Sequence, residues 1–133
     1  ISKTTAPHAA SYPFTSLFNI SHGHAVGLFF ESFFKFNFHN LDKSETSFAR
    51  KRRCNLIFNL LDVKDINSFN SKISLIKKHA KLEDNLETLN INISRNSERI
   101  IKGINLLRLG NNPVKIDEND IVNIISQQKI STY

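Results

Sequence analysis

The fold is decided by one apolar stretch, AVGLFFESFFKFNF at positions 25–38. Four phenylalanines recur within it at the spacing of one broad helix face: Phe29, Phe30, Phe33 and Phe34. The polar side chains of Glu31 and Lys35 fall off this face. The pattern predicts an α-helix whose aromatic face packs in a core or against another subunit, rather than around a cofactor.

Helical spacing continues through the rest of the chain, whereas alternating, strand-like patterns are short. We expect a second helix over 44–61 with five apolar residues facing inward: Phe48, Leu56, Ile57, Leu60 and Leu61. A third helix should begin at the N-cap Asp65, followed by a helical turn over 81–89, a helix over 97–109 and a last helix capped by Asp117. The sequence therefore predicts an all-α helical bundle of five to seven helices.

Length and residue usage set the domain organisation that we expect. A chain of 133 residues corresponds to a single helical domain over 1–133. It contains no methionine and begins at Ile1, so we expect a segment upstream of Ile1 to be missing. The single Cys54 favours a reducing, cytoplasmic compartment, and its role is packing within a helix. The longest apolar run is too short to span a bilayer, so no membrane association is predicted.

The net charge of +6 raises the question of a polyanionic partner. Much of the excess comes from one run, Arg50-Lys51-Arg52-Arg53. This run favours a solvated helix face over a phosphate-binding site, and nucleic-acid binding is not expected because the phenylalanines cluster elsewhere.

Two histidines, fourteen residues apart, stand in a specific frame: Pro7-His8-Ala9 and Ser21-His22-Gly23-His24-Ala25-Val26. This frame resembles the metal-binding half of the iron-containing alcohol dehydrogenase family, within the dehydroquinate synthase-like superfamily. The end of the chain is similar as well, through Asn111-Asn112-Pro113, Val114-Lys115-Ile116-Asp117 and Asp120-Ile121. The segment at 4–13 also resembles the phosphonoacetaldehyde reductase-like branch of that family.

The resemblance implies that His8 and His22 are metal ligands, each on its own helix, for Fe(II) or Zn(II). The turn between those helices should fall at 18–21. Tyr12 stands where many members have another histidine near the metal, Gly23 would leave room for substrate or cofactor, and His24 would have an accessory role. The family's other two ligands, an aspartate and a histidine, precede this region, and the chain has no glycine-rich nucleotide loop.

The function implied is that of a metal-dependent, NAD(P)-linked alcohol dehydrogenase or aldehyde reductase, whose metal polarises the substrate oxygen for hydride transfer. Its substrate would be a small aldehyde or alcohol, anionic ones included. The resemblance also implies that this chain is a C-terminal fragment of a longer parent. The fragment alone should be inactive because it needs an N-terminal nucleotide-binding domain as its partner, and a homodimer is left open. The alternatives are a dehydroquinate synthase-like or glycerol phosphate dehydrogenase-like enzyme, and a non-enzymatic basic helical binding module.

Overall fold

The polypeptide forms a bundle of α-helices in which one long helix lies between two apolar cores. The computed structural model describes residues 3–43 and 47–127, with Ser47 described by its backbone alone. Within these ranges all regular elements are helical. They are α1 (Ala6–Phe18), α2 (His22–His39), a 3₁₀ turn (Leu41–Lys43), α3 (Ser47–Leu60), α4 (Ile66–His79), α5 (Ile93–Lys102), α6 (Leu106–Leu109) and α7 (Glu118–Ser126). The predicted all-α fold is confirmed.

Helix α1 contains an internal proline, and the carbonyl that this proline leaves free is bonded by a distant part of the chain. Pro13 has no backbone N–H, so the carbonyl of Ala9 lacks its usual donor four residues on. The backbone N–H of Asn105 takes that place and donates to the Ala9 oxygen at 3.4 Å. Pro13 also lies against Gly103, where an added Cβ would sit 2.8 Å from the proline Cβ. The junction between α5 and α6 is thereby fixed on α1.

The phenylalanines of α2 divide between the two cores. Phe29 and Phe33 are fully buried in the main core, which α1, α2, α5 and α7 build together. Phe30 and Phe34 turn to a second, smaller core formed with α3 and α4, where Phe34 stacks on Phe69 with ring centroids 4.3 Å apart. Residues one position apart on a helix point about 100° apart, which explains the division. The aromatic face is core, as predicted.

A buried ion pair links α2 to α4. Lys77 is only 8% exposed, and its Nζ lies 2.9 Å from Glu31 Oε2 and 2.9 Å from Asp84 Oδ2. Ser74 donates a hydrogen bond of 3.1 Å to the other oxygen of Glu31. The buried charges are therefore paired and hydrogen-bonded, as charges in a protein interior must be.

The helix caps predicted from sequence are present. Asp65 accepts from the backbone N–H of Ser68 at the start of α4, and Asp117 accepts from that of Asp120 at the start of α7; both are capping boxes. The hydrogen bonds from Ser68 hold the pKa of the Asp65 carboxyl below its usual value. Residues 81–89, however, form turns and no helix.

The predicted orientation of α3 is wrong. Most of the residues expected to face inward are exposed: Phe48 and Leu60 at 83% and 85%, Leu56 and Ile57 less so, and Leu61 is half-buried. Phe58 is buried instead, and Cys54 is half-buried in the same row, where burial raises the pKa of its thiol. Apolar residues occur at helical spacing on both sides of α3, so periodicity alone could not select the buried side.

The single helix expected over 97–109 is also wrong, because α5 ends at Lys102 and the shorter α6 begins at Leu106. Asn105 starts the new helix by accepting from the backbone N–H of Arg108 at 3.0 Å. Gly103 lies tightly against Pro13, so the chain must turn there. No described helix is both long and apolar enough to cross a membrane.

Candidate metal and substrate site

The turn between α1 and α2 brings two histidines together. Helix α1 ends at Phe18, and Asn19 adopts a left-handed conformation (φ 54°) that asparagine tolerates better than most residues. The next helix then begins at His22, beside the middle of α1. The ring centroids of His8 and His22 are 5.5 Å apart. The two imidazoles thus lie close together on different helices.

Ser11 fixes the protonation pattern of the His22 ring. Its hydroxyl donates to the backbone oxygen of His8 at 2.8 Å, and its Oγ lies 3.1 Å from His22 Nδ1. A serine hydroxyl has one proton, so His22 Nδ1–H must be the donor in the second hydrogen bond. The other ring nitrogen, Nε2, then carries the lone pair that a metal requires. Ser11 itself is fully buried.

His8 is held in the neutral form. Burial lowers the pKa of its imidazole, and the nearby His22 and Arg108 lower it further. Because only the neutral ring can ligate a metal, this lowered pKa favours the form of His8 that a metal site requires.

Tyr12 and Arg108 flank the histidine pair. The Tyr12 ring lies one helical turn after His8, with its centroid 5.5 Å from that of His22. The guanidinium carbon of Arg108 lies 5.3 Å from the Tyr12 centroid, over the ring. Arg108 also donates to Thr4 Oγ1 at 2.8 Å. The site therefore combines two imidazoles, one phenol and one guanidinium.

Gly23 and His24 differ in their relation to this site. A Cβ built on Gly23 would meet no atom within 4 Å, so the described chain leaves open space there. The His24 ring bonds the backbone oxygen of Glu83, in the loop after α4. It is tied to that loop, and we find no contact between it and the histidine pair. His39 and His79 are exposed.

The donor set for a metal is only partial in the part of the chain that is described. No three His, Cys, Asp or Glu side chains group there in a way that could hold a metal ion. His8 and His22 provide two imidazoles, and tetrahedral sites need four ligands or three with a water. The residues present fit half of a metal site.

Sequence reasoning missed two residues of the site. Ser11 could have been noticed, because a serine in a helix interior, three residues after His8, often bonds a carbonyl of the preceding turn. Arg108 gave no local signal, since a hundred residues separate it from His8 and only the packing of α6 on α1 brings them together.

Comparison with known proteins identifies the family and the fold of this chain. Residues 2–129 match the sequence profile of the Fe-containing alcohol dehydrogenase family, C-terminal. The fold is similar to that of the sulfoacetaldehyde reductase from Bifidobacterium kashiwanohense in complex with NAD+, with a TM-score of 0.71 and 24% sequence identity over 98% of this chain. This chain spans 32% of that reductase, and no curated protein matches it in sequence. The chain therefore belongs to the Fe-containing alcohol dehydrogenase family, whose C-terminal helical domain it represents.

Proposed function

We propose that this chain is the helical part of a metal-dependent, NAD(P)-linked enzyme that interconverts small aldehydes and alcohols. The observation that carries the proposal is the His8–His22 pair. Ser11 bonds Nδ1 of His22, so the Nε2 atom of that ring is left for a metal. Family membership supports an oxidoreductase parent. The NAD+ named for the reductase of similar fold supports a nicotinamide cofactor.

In this proposal His8 and His22 supply two ligands to Fe(II) or Zn(II), since imidazole suits both metals. When bound, the metal would polarise the substrate oxygen. The remaining ligands and the nicotinamide pocket would come from an N-terminal domain of a longer protein, with residues 1–133 acting as one helical domain. The chain alone would then bind metal weakly and would not reduce aldehydes.

The chain's own residues would also shape the pocket. The Tyr12 hydroxyl could donate a hydrogen bond to substrate beside the metal, because its ring lies next to His22. The open space at Gly23 would admit substrate or cofactor to the start of α2. His24, bonded to Glu83, would support the loop after α4 instead of contacting substrate.

The test is aldehyde-dependent oxidation of NADH and NADPH by the full-length protein, loaded with Fe(II) or Zn(II) under anaerobic conditions. Unaltered protein should be active, and His8→Ala and His22→Ala should each reduce turnover to background. His39→Ala is the matched control, because this exposed histidine lies at the far end of α2. Full activity of the His22→Ala protein would overturn the assignment.

A further inference from the structure

Arg108 is a partly buried cation that pairs with no acidic residue in the part of the chain that the structure describes. None of the ion pairs among the described residues includes it. A guanidinium has five N–H donors, and Thr4 Oγ1 is the one side-chain acceptor found for them in the described ranges. Most of its N–H groups have no acceptor among the described residues, so they are available to an anionic ligand.

The position of Arg108 limits what that partner can be. The Tyr12 ring contacts both partners, with the guanidinium carbon 5.3 Å and the His22 ring centroid 5.5 Å from the Tyr12 centroid. The positive charge of Arg108 also lowers the pKa of His8, so the guanidinium lies close to the histidine pair. Thr4 and the Tyr12 ring both contact the guanidinium, and Asn111 in turn donates to the Thr4 backbone oxygen at 3.2 Å. The guanidinium of Arg108 is therefore held in place before any ligand binds.

A planar guanidinium matches the two oxygens of a carboxylate, sulfonate or phosphonate in a bidentate pair. We propose that Arg108 binds the anionic tail of the substrate, and that the substrate is a short aldehyde or alcohol whose anionic group lies only one or two carbons from the reacting carbon. The short spacer follows because the guanidinium and the His22 ring both contact the same Tyr12 ring, so a longer substrate would not be needed to reach from one to the other. The inference rests on the proposed function and adds the substrate class.

The test compares two aldehydes of similar size in the full-length protein, sulfoacetaldehyde as the charged probe and propanal as the neutral one. Replacing Arg108 by glutamine should lower kcat/KM for sulfoacetaldehyde by roughly 10- to 100-fold, the scale of charge-assisted hydrogen bonds. The kcat/KM for propanal should change less than about twofold, because propanal has no anionic group for Arg108 to bind. Arg108→Lys should give an intermediate kcat/KM for sulfoacetaldehyde, because lysine keeps the positive charge but cannot form the bidentate pair.

Arg95→Gln is the control, because Arg95 is exposed on α5 and, unlike Arg108, is not among the charges that lower the pKa of His8. It should leave both kcat/KM values unchanged. Equal losses for the two aldehydes in Arg108→Gln would show a structural role and overturn the inference. A raised KM for NADH with an unchanged aldehyde preference would assign the guanidinium to a cofactor phosphate, which also overturns it.

The proposed function can fail separately from this inference. If the unaltered protein reduces neither aldehyde with either nicotinamide, the enzyme assignment itself is wrong, and the substrate class falls with it. If it reduces both aldehydes and Arg108→Gln keeps the same preference between them, the enzyme assignment stands and the proposed role of Arg108 is wrong. Circular dichroism of each variant, with Arg108→Lys as the milder change, separates loss of recognition from loss of fold.

Discussion

Replacing Gly103 by alanine should destabilise the protein, although the same change usually stabilises a helix. The added Cβ would lie 2.8 Å from the Cβ of Pro13, whereas ordinary contact begins at 3.4 Å. Helices α1 and α5 must therefore separate by several tenths of an ångström, and such overpacking costs about 1–3 kcal/mol. The backbone of Gly103 (φ −82°, ψ −6°) suits alanine. The lower entropy of the unfolded alanine chain therefore offsets about 0.4–1 kcal/mol of this cost. We expect the free energy of unfolding to fall by about 1–2 kcal/mol.

Gly27→Ala provides the matched control. Its Cβ would meet Leu82 Cδ1 at 3.9 Å, an ordinary contact, and the residue lies in the interior of α2. This variant should gain about 0.5–1 kcal/mol. Urea denaturation followed by circular dichroism measures both changes. If Gly103→Ala is as stabilising as Gly27→Ala, the contact between Pro13 and the α5–α6 junction is not as tight as the structure shows, and the argument fails.

Three further changes test other parts of the structure. Lys77→Met leaves the Glu31 carboxylate buried without its cation, so urea denaturation should show a loss of about 3–5 kcal/mol; a loss below about 1 kcal/mol would contradict the burial. Ser11→Ala removes the hydrogen bond that fixes the His22 tautomer, and should weaken metal binding by the full-length protein about 10- to 100-fold in a chelator competition; unchanged affinity would refute that role. Because the folded-state pKa of His8 is lowered, the unfolded chain binds more protons below pH 6.5, so metal-free protein should lose stability as pH falls through that value, and His8→Gln should lose less.

The sequence predicted the elements whose signals are local. The caps at Asp65 and Asp117 and the buried aromatic face of α2 each depend on residues within a turn or two of one another. The predicted orientation of α3 was wrong because both sides of this helix carry apolar residues. The packing of Phe58 between α2 and α4 determines which side is buried.

The site could be predicted only in part, for the same reason. The frame around His8 and His22 was visible in the sequence and led to the family that the profile match confirms. The hydrogen bond from His22 to Ser11 and the position of Arg108 over Tyr12 depend on how α2 and α6 pack on α1. Packing between distant helices sets such contacts, so residue spacing gave no indication of them. The metal-binding role of the two histidines stays a prediction.

Elemental analysis of the metal retained by the purified full-length protein tests that role most directly. We predict about one divalent ion per polypeptide in the unaltered protein and in His39→Ala. His8→Ala and His22→Ala should each retain little metal, while their circular dichroism spectra stay those of the unaltered fold. A full metal content in His22→Ala would contradict the account, because the ion would then be held without the ring that Ser11 orients.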